Sequence, residues 1–145
     1  MKTIVICSSA AFYEHVNALA VELTEQGYKV IVPQTATKMQ ASGNYDVLTH
    51  KTWYQRPEDF AAKAQLMRDH FDAIAQGDGI LVVNDKKHDI DGYIGPNVLM
   101  EMGLAFYLRK PIYVLKPVGT GMPVYEEVLG MGSLMLDGDL AKIEA

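Results

Sequence analysis

Short apolar runs recur along the chain, and longer stretches of mixed polarity separate them. Runs of this kind, rich in valine, isoleucine and leucine, are typical of strands that are buried on both faces of a sheet. Five of them predict strands, at residues 3–7, 28–33, 79–84, 111–117 and 133–137.

The stretches between these runs predict helices. In residues 11–26 the apolar side chains recur at helical spacing, and Gly27 follows as a stop. Pro57 begins a second helix, with two acidic residues in its first turn. The side chains expected to form the buried face of that helix are Phe60, Ala64, Met67, Phe71 and Ile74. A third helix follows Asn97, which we predict to be its N-cap, and a short fourth helix covers 123–131.

Residues 34–56 lie between the second strand and the Pro57 helix and show no clear period. A long irregular segment inside a compact domain is more often functional than filler. This one carries the aromatic pair Trp53 and Tyr54. We therefore predict a loop that contributes to a binding site.

The order of these elements predicts the fold class. Apolar strands that alternate with helices indicate an α/β protein with helices on both faces of a parallel sheet. Five strands in one domain, residues 1–145, suit the flavodoxin-like (Rossmann-like) order 2-1-3-4-5. In that order ligands bind where the first and third strands end, which points to 8–10 and 84–97.

The amino-acid composition limits which classes of binding partner and which cellular location we expect. The chain has 145 residues, of which 21% are charged, and its net charge is −5. This acidic balance argues against a nucleic-acid polymer as partner. One cysteine rules out an internal disulfide, and a cytoplasmic location is the default expectation. No apolar stretch is long enough to span a membrane, and the first residues do not resemble a signal peptide.

One carboxylate interrupts the most apolar part of the chain. Between Gly92 and Leu108, 17 residues, the single charged side chain is Glu101. It lies near the start of the helix that follows Asn97, at the predicted binding edge of the sheet. A partly desolvated, ionised carboxylate facing a pocket is suited to be a covalent nucleophile. The simpler interpretation, that glutamate is common in first turns, is equally consistent with the sequence.

The surrounding residues resemble a known family. Glu101, Gly103 and Ala105, followed by Lys110-Pro111 before a strand, are similar to the ExGxA…KP segment of the nucleoside 2-deoxyribosyltransferases and the related nucleotide N-glycosidases. Asp78 at the start of the third strand resembles another step of that family. The resemblance implies that Glu101 attacks the anomeric carbon of the sugar, the base leaves, and water or a second base resolves the glycosyl-enzyme. It also implies a homodimer or larger homo-oligomer and no cofactor.

Two positions depart from the family pattern. His70 stands where an aspartate usually helps the leaving group, and Gly95 stands where the family has aspartate or serine. A histidine can transfer protons near neutral pH, although His70 is also consistent with an ordinary helix residue. Asp91 is a candidate substitute for the second position, or it is a solvated loop residue. The catalytic candidates are therefore Glu101 and His70.

Further candidates for substrate binding come from the two predicted loops. Hydroxyls and backbone N–H groups in the turn after the first strand suit a phosphate or a sugar, although small residues also fit a tight turn. Amides of the second loop could hold sugar hydroxyls, and aromatic rings could stack on a base. The residues predicted to bind substrate are Ser8, Ser9, Phe12, Asn84, Asp91, Tyr93, Gly95 and Asn97.

Other functional classes find less support. There is no GxxxxGK phosphate loop, and the four histidines lack the spacing of a metal site, so we predict no metal. The hypothesis is cleavage or exchange of the N-glycosidic bond of a nucleoside or nucleotide. A non-catalytic nucleotide-binding module and a flavodoxin-like FMN protein remain alternatives.

Overall fold

Five parallel strands form the centre of the structure, a computed structural model that describes residues 1–144. Hydrogen bonding orders them β2-β1-β3-β4-β5. Their bounds are Thr3–Ser8 (β1), Lys29–Ile31 (β2), Gly79–Val83 (β3), Ile112–Val114 (β4) and Leu134–Met135 (β5). The predicted fold class and strand order are confirmed, since the sheet is parallel throughout and helices cover it.

Six α-helices connect or flank the strands. They are Tyr13–Glu25 (α1), Gln34–Ser42 (α2), Val47–His50 (α3), Phe60–Gln76 (α4), Pro96–Tyr107 (α5) and Tyr125–Gly130 (α6). Short 3₁₀ turns cover Ala10–Phe12, Thr52–Tyr54, Pro57–Asp59 and Leu140–Lys142. In the described part of the chain no helix is both long and apolar enough to cross a bilayer.

The alternation of side chains along β1 divides the core into two layers. Ile4 and Ile6 face the layer that α1 covers, whereas Val5 and Cys7 face the layer that contains α5. All four side chains are fully buried. Because successive strand residues point to opposite faces, this register directs the Cys7 thiol toward α4 and α5.

Two sequence predictions about helices were wrong. Residues 34–56 are largely helical, because the residues before the 3₁₀ turn at Thr52–Tyr54 form α2 and α3, and α2 buries Ala36 and Met39. Only a few apolar residues anchor that segment, so its period was hard to detect. In α4, Ile74 is the one fully buried residue, and Phe60 at its first position is half exposed.

Candidate active site

The helix α5 begins two residues earlier than predicted and carries Glu101 on its buried side. Gly95, in extended conformation, is the N-cap and Pro96 is the first helical residue, so Asn97 is not the cap. Proline suits this position because its fixed φ matches the helix and the first N–H has no helical partner. Glu101 shares its face with Val98 and Ala105, three residues before and four after it, and both are buried. Helical spacing therefore places the carboxyl group in the core layer between α5 and the sheet.

Polar groups from two other elements, α4 and β1, lie around this carboxyl group. The Oε2 atom of Glu101 lies 3.5 Å from Nε2 of His70, which comes from α4. The same Nε2 lies 3.1 Å from the carbonyl oxygen of Ile6 and 3.7 Å from the thiol sulfur of Cys7, both on β1. A carbonyl oxygen can only accept, so Nε2 of His70 carries a proton and donates it to Ile6.

Burial controls the charge of this pair. It raises the pKa of Glu101 to about 8, and the nearby ammonium of Lys63 offsets only part of that effect. Burial also lowers the pKa of His70 to about 4, against the opposing effect of its bond to Ile6. The sequence predicted an ionised Glu101, and this was wrong for the resting protein. At neutral pH the carboxyl group is protonated, the imidazole is neutral with its proton on Nε2, and the pair has no net charge.

The same three side chains have the composition of a metal site. Among residues 1–144, the ligand atoms of Cys7, His70 and Glu101 lie within 4.8 Å of one another. Thiolate, imidazole and carboxylate together are a donor set that zinc accepts. Here, however, Nε2 of His70 presents a proton rather than a lone pair, and burial raises the pKa of Cys7 well above its usual value. The arrangement is therefore better suited to moving a proton than to holding an ion.

A cavity of about 160 Å³ opens beside Glu101. Its apolar wall includes Trp53, which is buried and belongs to the segment predicted to contribute to a binding site, and Tyr13 at the start of α1. Burial, followed by the proximity of Glu101 and Cys7, raises the pKa of the Tyr13 phenol, which stays protonated as a hydrogen-bond donor. The cavity thus combines an apolar platform with a few convergent polar groups, as small-molecule sites do.

Four of the predicted site residues line this cavity: Ser8, His70, Asn97 and Glu101. The Oδ1 atom of Asn97 is buried and has no hydrogen-bond partner in the part of the chain that the structure describes. Leaving a buried acceptor unpaired is costly, so this atom is free for a ligand donor such as a sugar hydroxyl. The Ser8 hydroxyl donates to the carbonyl oxygen of Ser9 and keeps its lone pairs.

Three other predicted residues have structural contacts instead. The Asn84 amide is fully buried and makes two 2.8 Å bonds to the backbone of Lys116, one in each direction. Phe12 packs in the core layer under α1. Gly95 caps α5. None of them lines the cavity, because the groups that made each a candidate are already used by the fold.

The remaining three, Ser9, Asp91 and Tyr93, do not line the cavity. Ser9 accepts a hydrogen bond from Lys87 at 3.0 Å, and the same ammonium lies over the ring of Tyr93 at 5.3 Å. Asp91 is exposed in the loop before α5. That loop does not bring the Asp91 carboxylate into the cavity wall.

Sequence reasoning missed several residues of the cavity wall. Tyr13, Lys51 and Lys63 were not singled out, although all three line it. The spacing of Lys63 on α4, seven residues before His70, was a usable signal, because residues seven apart lie on one face of a helix. No comparable signal marked Lys51, which reaches the cavity from the segment predicted as a loop.

Comparisons with known proteins locate the fold. The sequence matches no protein-family model and no curated protein at a significant level. The structure is similar to the 2-deoxyribosyltransferase of Bacillus psychrosaccharolyticus, with a TM-score of 0.54 and 18% identity, over 84% of this chain and 77% of that one.

Two weaker similarities were also found. The CMP N-glycosidase of Clostridium botulinum aligns at a TM-score of 0.48 and 16% identity, over 92% of this chain and 85% of that one. A flavoenzyme NAD(P)H:(acceptor) oxidoreductase of Paracoccus denitrificans aligns at a TM-score of 0.45 and 15% identity, over 93% of this chain and 75% of that one. At these identities what is shared is the architecture. The chain therefore has the fold of the Bacillus 2-deoxyribosyltransferase, with His70, Glu101 and Asn97 grouped at one cavity.

Proposed function

We propose that this protein cleaves or exchanges the N-glycosidic bond of a nucleoside or nucleotide, with Glu101 as the nucleophile. The observation that supports this most directly is the position of the Glu101 carboxyl group. It is 3% exposed, yet it lines a cavity and lies 3.5 Å from a histidine. A carboxyl group kept from water but open to a ligand can attack a sugar carbon without losing a hydration shell.

The chemistry needs Glu101 to give up its proton. In the resting pair that proton sits on the carboxyl group, and Nε2 of His70 is the nearest ionisable nitrogen. Because Nε2 of His70 already carries the proton that it donates to Ile6, the carboxyl proton leaves Glu101 by exchange with solvent in the cavity, and the second ring nitrogen of His70 takes up a proton from the same solvent. This leaves an imidazolium whose Nε2–H lies beside the carboxylate. The carboxylate then attacks the anomeric carbon, the bond to the base breaks, and the base leaves with the proton that His70 supplies. Water or a second base displaces Glu101 from the resulting ester.

The cavity supplies places for the parts of such a substrate. The Asn97 carbonyl and the Ser8 hydroxyl suit sugar hydroxyls, and Trp53 gives the wall an aromatic ring suited to contact with a base. Tyr13 offers a phenolic donor close to Glu101. These assignments need no cofactor.

The direct test is turnover in a panel of nucleosides and nucleotides, with and without an acceptor base. Glu101→Gln and Glu101→Ala should lower kcat by about three orders of magnitude or more, because the nucleophile is lost. Both variants should keep the wild-type circular dichroism spectrum. Glu127→Gln, an exposed glutamate on α6, is the matched control and should turn over normally. Activity retained in both Glu101 variants would remove the nucleophile assignment.

The covalent intermediate gives a second, independent readout. A 2-fluoro-2-deoxy nucleoside destabilises the positive charge that develops on the sugar and so slows release of the ester. Intact-mass spectrometry should then show one added fluorosugar, located by peptide mapping on Glu101. A protein that ligands stabilise thermally but that never releases a base would instead be a binding module. A yellow purified protein would indicate a flavin site.

A further inference from the structure

Three lysine side chains converge beside the Glu101 cavity. Lys51 follows α3, Lys63 lies in the first turn of α4, and Lys87 lies in the loop between β3 and α5. Lys51 and Lys63 line the cavity. Lys87 donates a 3.0 Å hydrogen bond to the Ser9 hydroxyl, in the turn that follows β1. All three are partly buried, and we call them the lysine cluster.

No carboxylate neutralises the lysine cluster. Within residues 1–144, none of its ammonium groups lies within 4.0 Å of an acidic side chain, whereas the nearby Lys116 is paired with Asp85. Asp69 also lines the cavity, but its two carboxylate oxygens accept hydrogen bonds from Gln34 and Gln65. The cluster is therefore a local excess of positive charge on a protein whose net charge is −5.

Lys51 and Lys63 share one cavity wall, and Lys87 bonds Ser9, the neighbour of Ser8 in that wall, so three like charges lie in one region. Burial lowers the pKa of Lys51, and the charges of Lys63 and Lys87 lower it further. Two aromatic rings help to fix the groups in place: Lys63 lies 5.6 Å from the centre of Trp53, and Lys87 lies 5.3 Å from that of Tyr93. Holding like charges together costs free energy, and a bound anion removes that cost.

We propose that the lysine cluster binds the phosphate of a nucleotide, so that the substrate of the Glu101 cavity is a nucleoside 5′-monophosphate rather than a nucleoside. A phosphate monoester carries a charge of about −1.5 to −2 and three acceptor oxygens, which matches three ammonium donors. The Ser9 hydroxyl adjoins the cluster as a further polar contact. The substrate assignment rests on the proposed function, whereas phosphate binding by the cluster does not.

Binding without turnover is the first arm of the test. Ribose 5-phosphate, ribose and inorganic phosphate are titrated into the wild-type protein by calorimetry. Ribose 5-phosphate should bind at least tenfold more tightly than either of the other two, because it uses both the cluster and the sugar contacts. Lys51→Met and Lys63→Met should each weaken that binding about tenfold or more, since a charge-assisted hydrogen bond is lost. Lys86→Met, which removes the exposed neighbouring lysine, is the matched control and should bind as the wild type does.

Turnover is the second arm. The ratio of kcat/KM for a nucleoside monophosphate to that for its nucleoside should exceed about 100 in the wild type. The two cluster variants should lower this ratio at least tenfold. A ratio is used because Lys63 also influences Glu101, and that influence is common to both substrates. Lys87→Met should lower the ratio in the same direction.

The outcomes separate the two proposals. Equal turnover of nucleoside and monophosphate, or cluster variants that leave ribose 5-phosphate binding unchanged, would overturn the phosphate assignment while N-glycosidase activity stands. Lysine-dependent binding of ribose 5-phosphate without base release from any substrate would support the phosphate site and reject the proposed function. Equal affinity for inorganic phosphate and ribose 5-phosphate would reduce the cluster to a general anion site and overturn the nucleotide assignment.

Discussion

Glu101 is an acidic residue that the periodicity of its helix forces into the core. Its neighbours on the buried face of α5 are apolar, and its polar surroundings are His70, the Cys7 thiol and the cavity. Burial of a carboxyl group favours its protonated form. The consequences for both stability and activity can therefore be derived from one residue and its nearest partner.

The first consequence is a stability that depends on pH. Burial raises the pKa of Glu101 from 4.5 to about 8, so between these values the folded state binds more protons than the unfolded state and stability falls as pH rises. His70 opposes this trend only below pH 6.5, its ordinary pKa, because burial lowers its folded pKa to about 4. The wild-type melting temperature should therefore decline between pH 6.5 and 8, by the equivalent of about 2 kcal/mol at most.

Scanning calorimetry of Glu101→Gln across pH 6.5–8 checks this expectation. The neutral amide should remove most of the decline and make the variant more stable than the wild type at pH 8. Glu127→Gln, at an exposed site, should keep the wild-type slope. A wild-type melting temperature that does not change across this interval would contradict the burial effect assigned to Glu101.

The second consequence is the shape of the pH–rate profile. Besides the Nε2–H of His70, the reactive form of the pair carries one proton, which moves from Glu101 to His70 and then to the base. Below about pH 4 both groups are protonated, and above about pH 8 the shared proton is lost. The rate constant kcat/KM should therefore be bell-shaped with limbs near these values.

His70→Asn tests the role of the histidine in this profile. Without His70 to keep the proton in the site, Glu101 must lose it to bulk solvent, so the rate should fall and then rise with pH up to about 8. Thermal unfolding of the variant at each pH controls for lost stability. A bell-shaped pH–rate profile that is unchanged in His70→Asn would show that the histidine does not carry the proton.

At the scale of elements, the loop between β3 and α5 is fixed by contacts with the loop after β4. The Asn84 amide bonds the backbone of Lys116 in both directions. Gly92 has φ +67, and a Cβ added there would lie 2.2 Å from the carbonyl oxygen of Pro117. The loop carries Lys87 and Tyr93, so its conformation positions part of the lysine cluster.

Gly92→Ala should therefore destabilise the protein by about 2 kcal/mol or more, because the side chain meets backbone and the left-handed conformation is strained. Urea denaturation measures the loss. Gly119→Ala is the matched control, since an added Cβ there meets nothing within 4 Å and its backbone is not left-handed. Equal urea midpoints for Gly92→Ala and Gly119→Ala would mean that the loop accommodates the Gly92 substitution without a loss of stability.

At the scale of the whole molecule, α5 exposes a band of large apolar side chains on the side away from Glu101. Met100, Phe106 and Tyr107 are 48%, 54% and 82% exposed. Contiguous exposed apolar surface on a folded protein often marks an interface. The family resemblance implies a homo-oligomer, and we propose that this surface of α5 is where the copies meet.

Light scattering coupled to size exclusion checks the oligomeric state. The wild type should elute as a dimer or larger, and Phe106→Glu should shift it toward the monomer because a buried charge would be unpaired. Leu48→Glu, at an exposed apolar residue on α3, is the control and should not change the mass. A monomeric wild type at micromolar concentration would rule out the predicted assembly.

The sequence by itself determined the architecture of this protein. Continuous apolar runs such as 79–83 can be buried only in a sheet covered on both faces, and right-handed crossovers limit how such strands are ordered. The sequence also identified Glu101 as a candidate, because a single charged residue within an apolar helix can be recognised without the structure. The helices in residues 34–50 could not be predicted from the sequence, because short helices with few buried apolar residues show little hydrophobic periodicity.

Only the tertiary structure decided which side chains meet Glu101 and what charge it carries. His70 and Cys7 lie 31 and 94 positions away along the chain, and the packing of α4 and β1 alone brings them together. The same packing engages the Asn84 amide in hydrogen bonds with the backbone of Lys116. It leaves the side-chain carbonyl of Asn97 without a hydrogen-bond partner among the described residues. It also excluded water from Glu101, and exclusion of water, which no local pattern records, is what sets the protonation of a carboxyl group.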